Sequence, residues 1–240
     1  MKEHLSDSST KYEDPGKYES FLDNNLYFPL SDLLVTPLRT LGLTPNNVTI
    51  LSSLFTLSMI YFLQNKQIEY ACFVYFIGYL LDCVDGNMAR KYNMGSKYGM
   101  ALDMVSDQLT NYILLGYIIY TKGINNWFIP SCILLTYLCS ISIGITEANN
   151  NAKKTNSDDF YKTKEEDVKD EKAFIFKIYL FTYKGIYNNY KFLFPEYNQK
   201  KLSKYLLLLK ELGPGNINMI VIILLYFYYT NNSNSEIFDF

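Results

Sequence analysis

The sequence predicts an all-α integral membrane protein: a bundle of five or six transmembrane helices with an N-terminal amphipathic surface helix. Three observations support this fold class. Four consecutive apolar runs within the 240 residues approach the roughly 20 residues that a helix needs to cross a bilayer. Aromatic residues make up 17% of the chain, more than a soluble domain usually needs. The mean hydropathy is only -0.05, because polar tails and a charged loop dilute the apolar runs.

The N-terminal part of the chain changes character near residue 20. Residues 1–20 are polar and have no apolar stretch, so we expect a disordered tail and no secretory signal. Residues 21–43 mix apolar residues with Asp, Asn and Arg, and Pro29 and Pro37 interrupt them. This pattern predicts short amphipathic helices that lie on the membrane surface.

Four apolar segments follow and predict the first four membrane spans. These segments are residues 48–63, 70–82, 98–120 and 127–146. Trp127 stands where an aromatic residue often anchors a helix at the membrane interface. The four runs together support a membrane bundle more strongly than any one of them does alone.

The C-terminal part is harder to divide into spans. Residues 147–172 are rich in Asn, Lys, Asp and Glu and are expected to form a flexible, solvated loop. Residues 173–194 are apolar but carry several Lys and Asn residues. An interfacial amphipathic helix at residues 200–210, a Gly-Pro-Gly break and a last apolar run at residues 217–229 follow, ahead of a polar tail at residues 231–240.

The distribution of Lys and Arg predicts an orientation in the membrane. If the N-terminal tail is cytosolic, the hairpins at residues 64–69 and 121–126 face the outside. Residues 90–97 and 147–172, which carry most of the basic residues, then face the cytosol. A crossing by residues 173–194 would place the following lysines outside, against the rule. The sequence therefore leaves five and six spans open.

Charge and residue types exclude several functions. The net charge of -2 provides no basic surface for nucleic acid, so no nucleic-acid partner is expected. The four cysteines show no CxxC spacing and are interpreted as small buried hydrophobic residues. The single histidine, His4, lies in the polar tail. A histidine-based triad or histidine metal site is therefore not expected.

Four acidic residues stand at the ends of the second and third predicted spans. They are Asp82, Asp85, Asp103 and Asp107. The first two are three residues apart and the last two are four apart, so each pair shares one face of a helix. A 13-residue link from Gly86 to Tyr98 would let the two helices lie side by side. All four carboxylates can then converge on one site at the cytosolic side.

Converging carboxylates near a bilayer require a counter-charge. Charged groups are costly there, and like charges repel one another. Divalent cations solve both problems, and ligands that are all oxygen suit Mg²⁺, Mn²⁺ or Ca²⁺ rather than Zn²⁺. Two such ions could share the acids and bind a substrate phosphate. The alternative, in which the acids cap helices or pair with Arg90, Lys91 and Lys97, does not account for four acids at these spacings.

The residues between the acid pairs fit a phosphate-containing ligand. Gly86 and Ala89 are small, so a ligand could approach the backbone. Arg90 can form bidentate bonds with phosphate. Gly99 lies one turn before Asp103 and removes bulk where helices or a ligand come close. The segment therefore predicts a site for metal ions and a diphosphate.

The full spacing resembles a known family motif. D-x2-D-G-x2-A-R-x8-G-x3-D-x3-D, from Asp82 to Asp107, matches without departure the motif of the CDP-alcohol phosphatidyltransferases. "TPNNVT", residues 44–49, resembles the segment that opens the first membrane helix of that family. The resemblance covers about residues 40–147. It implies a membrane domain at residues 21–230 with a catalytic core at 44–147, a bundle of typically six transmembrane helices, and often a homodimer.

The resemblance also implies an activity and the residues that perform it. The family displaces CMP from a CDP-linked alcohol by attack of the hydroxyl of a second alcohol. By motif position, the four aspartates would bind two Mg²⁺ or Mn²⁺ ions, and Asp107 would also act as the general base. The CDP part would be held by Gly86, Ala89, Arg90, Ser96, Asn46 and Thr49. The implied partners are a CDP-linked lipid or CDP-alcohol, an alcohol acceptor, the lipid bilayer and a second copy of the chain.

The sequence around the last two acids bears on the acceptor alcohol. "LDMVSDQ" resembles the branch that uses inositol or glycerol phosphate, whereas the aminoalcohol branch commonly has a His where this chain has Met104. "NMGSKYGMALDMVSD" is similar to eukaryotic phosphatidylinositol synthases, which usually have an Arg where this chain has Gln108. The resemblance favours CDP-diacylglycerol with a polyol such as inositol or glycerol phosphate. A choline or ethanolamine phosphotransferase using diacylglycerol is the alternative.

Two further classes of protein are open to test. A non-catalytic membrane scaffold of the same fold would have no need of all four aspartates. A small-solute transporter would carry its acids in the middle of its spans, whereas these acids lie at span ends. Both observations favour an enzyme.

Overall fold

The computed structural model describes residues 15–123 and 127–232. Within these ranges the chain forms helices and connections and contains no strand. Three helical segments are long and apolar enough to cross a membrane: Pro45–Gln64, Phe128–Thr155 and Gln199–Thr230. The predicted fold class, an all-α membrane protein, is thereby confirmed.

The N-terminal segment is helical and packs on the bundle. Helix α1 spans Pro15–Tyr18, a π-helical turn spans Asp23–Tyr27, and α2 spans Phe28–Thr40. Of the predicted tail, residues 1–14 lie outside the described residues, whereas Tyr18 and Ser20 are buried. Pro37 lies inside α2 without ending it.

The next three helices carry the candidate site. They are α3 (Pro45–Gln64), α4 (Ile68–Lys91) and α5 (Lys97–Lys122). Thr44 caps α3 in a reciprocal arrangement. Its side chain accepts a hydrogen bond from the Asn47 N–H, and the Asn47 side chain accepts one from the Thr44 N–H. The prediction of a 13-residue link from Gly86 to Tyr98 is wrong, because α4 continues past Gly86 to Lys91 and α5 begins at Lys97. The residues after Gly86 include good helix formers such as Met, Ala and Arg, and one glycine is not enough to end the helix.

The remaining helices form the second half of the bundle. They are α6 (Phe128–Thr155), α7 (Phe160–Val168), α8 (Phe174–Leu193), α9 (Gln199–Leu209) and α10 (Pro214–Asn232), with a 3₁₀ turn at Lys210–Leu212 before α10. Residues 124–126 of the hairpin before α6, and residues 233–240 of the predicted C-terminal tail, lie outside the described residues.

The prediction of a flexible loop at residues 147–172 is wrong. Its first part continues α6, and its middle part forms α7. Asp158 is buried and forms an ion pair with Lys191 at 2.5 Å, and Lys164 pairs with Glu147 at 3.5 Å. Because Lys191 lies on α8 and Glu147 on α6, these ion pairs tie residues 147–172 to packed helices, and the segment is ordered.

Candidate active site

The end of α4 and the start of α5 bring the predicted acids together. One carboxylate oxygen from each of Asp82, Asp85 and Asp103 lies within 4.8 Å of the other two. Asp107 is not one of these three, but the Asp82 carboxyl faces both Asp103 and Asp107. The two acid pairs therefore converge as their spacing predicts.

The donor set fits a hard divalent cation. The three closest groups are all carboxylates, and oxygen ligands are those that Mg²⁺ and Mn²⁺ prefer. Oδ1 of Asp82 is buried and has no hydrogen-bond partner among the described residues. A buried carboxylate oxygen without a donor is costly, and a bound cation would remove that cost. These residues therefore fit the ions that the motif implies.

Helix α3 fixes the orientation of one of these acids. Thr49 Oγ1 donates a hydrogen bond to Oδ2 of Asp85 at 2.5 Å, and both residues are buried. A carboxylate that accepts such a bond is restricted in rotation. Thr49, expected from the resemblance to contact CDP, thus contacts Asp85 in this structure.

A close helix crossing makes that contact possible. Ser52 on α3 donates to the carbonyl oxygen of Gly78 on α4 at 2.8 Å. A Cβ atom added at Gly78 would lie 2.1 Å from Oγ1 of Thr56, so a larger residue would force the helices apart. Small and hydroxyl residues at a crossing are typical of membrane helix pairs. Gly78 was not singled out from the sequence. The available signal was a glycine in the second apolar run that follows a run containing Ser and Thr.

A cavity of about 190 Å³ opens beside the acids. Its lining contains the residues expected to hold the CDP part, namely Asn46, Thr49, Gly86, Ala89, Arg90 and Ser96. Gly99, Asp85 and Asp103 also line it. The structure thus gathers the nucleotide candidates and two of the acids around one space.

Two glycines keep this cavity open. A Cβ atom at Gly99 would lie 2.9 Å from Oδ1 of Asn46, and one at Gly86 would lie 3.2 Å from Nη1 of Arg90. Ser96 caps α5 and accepts a hydrogen bond from the Gly99 N–H at 2.9 Å. The expectation that Gly99 removes bulk at a close approach agrees with this geometry.

Contacts from the N-terminal segment were not foreseen. Tyr79, one turn before Asp82, donates to Oδ1 of Asp23 at 2.8 Å. Asn87, two residues after Asp85, donates to Oγ of Ser31 at 3.1 Å. Both contacts join residues more than fifty positions apart, so no local pattern in the sequence indicates them.

The fold and the site define a helical membrane protein with a cavity beside clustered carboxylates where two adjacent helices, α4 and α5, meet. The sequence profile of the CDP-alcohol phosphatidyltransferase family matches residues 42–185 of this chain. The chain therefore belongs to the CDP-alcohol phosphatidyltransferase family.

Three curated relatives show what the chain is similar to. An archaetidylinositol phosphate synthase of Pyrococcus horikoshii is 37% identical over 109 residues, which are 44% of this chain and 56% of the relative. A phosphatidylinositol phosphate synthase of Mycobacterium marinum is 31% identical over 98 residues, 40% of this chain and 42% of the relative. A probable CDP-diacylglycerol–inositol 3-phosphatidyltransferase of Arabidopsis thaliana is 30% identical over 106 residues, 44% of this chain and 42% of the relative.

The similarity is confined to part of each protein. The matched segments span 56%, 42% and 42% of these relatives, about half of their length. No solved structure shows a significant match to the chain.

Proposed function

We propose that this protein is a phospholipid-synthesising transferase. It moves a phosphatidyl or phospho-alcohol group from a CDP-linked donor to an alcohol hydroxyl and releases CMP. The observation that carries the proposal is the convergence of Asp82, Asp85 and Asp103 beside a cavity lined by the other motif residues. A scaffold would not require this arrangement.

The four aspartates hold two Mg²⁺ or Mn²⁺ ions in this proposal. When bound, such ions neutralise charge on the diphosphate and on the leaving CMP. Asp82 offers a buried oxygen without another partner in the described part of the chain. Thr49 holds Asp85 in one orientation, so less ordering of the ligands is needed when the ions bind.

The nucleotide lies in the cavity beside Arg90. The guanidinium group donates to phosphate oxygens, and Gly86 and Ala89 leave room for the ligand to approach α4. Asn46 and Ser96 reach the same space from α3 and from the start of α5. Because the Thr49 hydroxyl is directed to Asp85, its role is to orient that acid rather than to bind the nucleotide.

Asp107 acts as the general base. The acceptor hydroxyl oxygen forms a bond to the phosphorus of the transferred group, and the bond from that phosphorus to the CMP oxygen breaks. Asp107 takes the proton that the hydroxyl loses, while Arg90 stays with the departing phosphate. A carboxylate is a weak base for a free alcohol, so proton transfer accompanies bond formation rather than preceding it.

The names of the relatives support a particular branch. Those relatives are synthases of inositol-containing lipids, so we propose CDP-diacylglycerol as donor and inositol or an inositol phosphate as acceptor. Glycerol phosphate remains within the same branch. A choline or ethanolamine phosphotransferase and a non-catalytic scaffold are the competing outcomes.

The distribution of Lys and Arg supports a topology in which the protein crosses the membrane five or six times and its site faces the cytosol. The resemblance to the family adds the proposal that the protein works as a homodimer. The domain limits are those of the sequence, with a membrane domain at residues 21–230 and a catalytic core at 44–147. A cytosolic site at the membrane face lets a polar acceptor meet a lipid donor.

The test is CMP release from the purified full chain in liposomes with Mn²⁺. CDP-diacylglycerol is offered with inositol, inositol phosphate, glycerol 3-phosphate and serine, and CDP-choline and CDP-ethanolamine are offered with diacylglycerol. We expect release with one inositol-type acceptor, and a loss on the order of 10²–10⁴-fold in Asp107→Asn. The matched control, Asp167→Asn, changes an exposed acid on α7 and should leave the rate unchanged. No release with any pair by folded protein would contradict the proposal.

A further inference from the structure

The N-terminal segment forms hydrogen bonds with α4 on both sides of its two acids. Tyr79 precedes Asp82 by one turn and contacts Asp23. Asn87 follows Asp85 by two residues and contacts Ser31 and Asp32. The two anchor residues are eight positions apart, about 12 Å along a helix. The turns that carry Asp82 and Asp85 lie between them.

The first anchor residue, Tyr79, bonds to a buried carboxylate, that of Asp23. Asp23 is 1% exposed and accepts hydrogen bonds from the Tyr79 hydroxyl at 2.8 Å and the Ser20 hydroxyl at 2.7 Å. The backbone N–H of Gly215, at the start of α10, donates to it at 3.2 Å. Burial raises the pKa of Asp23, and these hydrogen bonds oppose the rise. Asp23 therefore ties the N-terminal segment to α4 and α10 at one point.

The approach of α10 to Asp23 depends on a glycine. A Cβ atom at Gly215 would lie 2.1 Å from Oδ1 of Asp23. A carboxylate near the first N–H groups of a helix is also stabilised by the helix dipole. Together these contacts make Asp23 a rigid support rather than a solvated surface acid.

The second anchor joins α2 to the motif itself. Asn87 is 2% exposed and Ser31 is 0% exposed, and the Asn87 amide donates to the Ser31 hydroxyl at 3.1 Å. The same amide nitrogen contacts the carboxylate of Asp32. Breaking the hydrogen bonds of a buried amide is costly, particularly when one acceptor is a charged carboxylate. This anchor therefore fixes α4 directly after Asp85.

The anchors and Asp85 lie on different sides of α4, whereas Asp82 lies one turn after Tyr79 and next to it on the helix surface. Successive residues of an α-helix are about 100° apart, so Tyr79 and Asn87 lie on one side and Asp85 lies on the far side. The N-terminal segment thus supports α4 from behind, while Thr49 contacts Asp85 from the front. A small rotation of α4 about its axis would displace both acids, and ligand groups generally must be held within about 0.5 Å of the productive geometry.

We propose that the N-terminal segment, residues 20–32, is a positioning element for the metal site, with Tyr79 and Asn87 as the residues on α4 through which it acts. This inference rests on the proposed function, because it assumes that Asp82 and Asp85 bind divalent cations. The bonds of Tyr79 and Asn87 set the rotation of α4, and this rotation sets the positions of the two carboxylates. Neither residue touches the substrate.

The test measures Mn²⁺ binding directly, through the loss of the free-ion signal in electron paramagnetic resonance of the full chain in detergent. Tyr79→Phe removes one hydroxyl and keeps the ring, and we expect the dissociation constant for Mn²⁺ to rise about tenfold. Asn87→Leu removes the second anchor and should shift binding in the same direction. Asp85→Asn, which removes a ligand, should lower binding more than either.

The matched control is Tyr27→Phe. The Tyr27 hydroxyl donates to Asn218 on α10 at 2.8 Å, so this variant loses an equivalent bond of the same segment without losing a bond to α4. We expect a lower thermal midpoint and an unchanged affinity for Mn²⁺.

The outcomes separate this inference from the proposed function. Unchanged Mn²⁺ affinity in both Tyr79→Phe and Asn87→Leu would overturn the positioning role. An equal loss in Tyr27→Phe would also overturn it, because a general loosening would then explain the effect. Absence of Mn²⁺ binding by the parent protein would overturn the proposed function and this inference together. Binding with the expected shifts but without CMP release would overturn only the proposed activity.

Discussion

The two halves of the bundle are held together by different kinds of contact. Around the site, α3 and α4 approach each other at Ser52, Thr56 and Gly78. A hydrogen bond and the small size of glycine control the geometry there. In the C-terminal half, rings fill the space between α7 and α8: Phe160 packs against Tyr183, Tyr187 and Tyr190. Polar contacts at close range fix atom positions, whereas aromatic packing supplies buried apolar area. The comparison indicates that the first half positions the chemistry and the second half stabilises it.

Near the acids, α5 is the helix of the first half that contacts the core formed by α7 and α8. Ala101 and Met104 on α5 pack against the C-terminal core, and the Tyr179 hydroxyl contacts Sδ of Met100 at 3.4 Å. The cavity itself is lined by residues from 45 to 103. A loss of packing around α7 and α8 should therefore lower stability more than it changes the site.

Phe160→Ala tests this separation with the largest expected effect. Phe160 is 1% exposed, and truncation of a buried Phe typically costs about 3–5 kcal/mol. We expect a much lower thermal midpoint in detergent, together with an unchanged rate of CMP release per folded molecule at low temperature. Phe192→Ala on α8 is the control, because Phe192 is 80% exposed and packs little. A strong loss of activity by protein that is still folded would show that the halves are not separable.

Gly78→Ala tests the other half. The added methyl group meets Oγ1 of Thr56 at 2.1 Å, and overpacking of this kind costs about 1–3 kcal/mol. Because the crossing also brings Thr49 to Asp85, activity should fall together with stability.

Two further variants serve as the control and the rescue for Gly78→Ala. Gly116→Ala adds a methyl group on α5 that meets no atom of the described residues within 4 Å, so neither quantity should fall. Thr56→Ala combined with Gly78→Ala removes the clashing hydroxyl and should recover much of the activity. An active Gly78→Ala protein with normal Mn²⁺ affinity would contradict the role given to this crossing.

The sequence predicted what depends on local spacing. The apolar runs predicted the helices that begin at Pro45, Ile68, Lys97 and Phe128. Two of them, Pro45–Gln64 and Phe128–Thr155, are long and apolar enough to cross a membrane. The spacing of the four aspartates predicted that each pair shares a helix face, and three of the four carboxylates meet within 4.8 Å. These features require no knowledge of distant residues.

Features that depend on distant partners were not predictable. Asp23 is interpreted from sequence as part of a surface helix, but the Gly215 N–H that bonds to it lies 192 positions away. Asp158 and Lys191 lie in segments with charged or mixed composition, and their ion pair at 2.5 Å forms only when α8 packs beside the end of α6. Composition indicates solvation for such residues, and tertiary contacts reverse that expectation.

Thr49→Val has the smallest expected effect and sharpens the comparison most. The substitution keeps the size of the side chain and removes the hydroxyl that donates to Asp85 at 2.5 Å. An intramolecular hydrogen bond typically contributes about 0.5–1.5 kcal/mol, and about 1.4 kcal/mol corresponds to a factor of ten, so we expect the Mn²⁺ dissociation constant to rise by up to about tenfold. The apparent affinity for CDP-diacylglycerol at saturating Mn²⁺ should change little, because the hydroxyl orients a metal ligand. The opposite pattern, with normal Mn²⁺ affinity and a weakened donor, would make Thr49 a nucleotide contact. It would also show that the contact between α3 and α4 shapes the cavity rather than the acids.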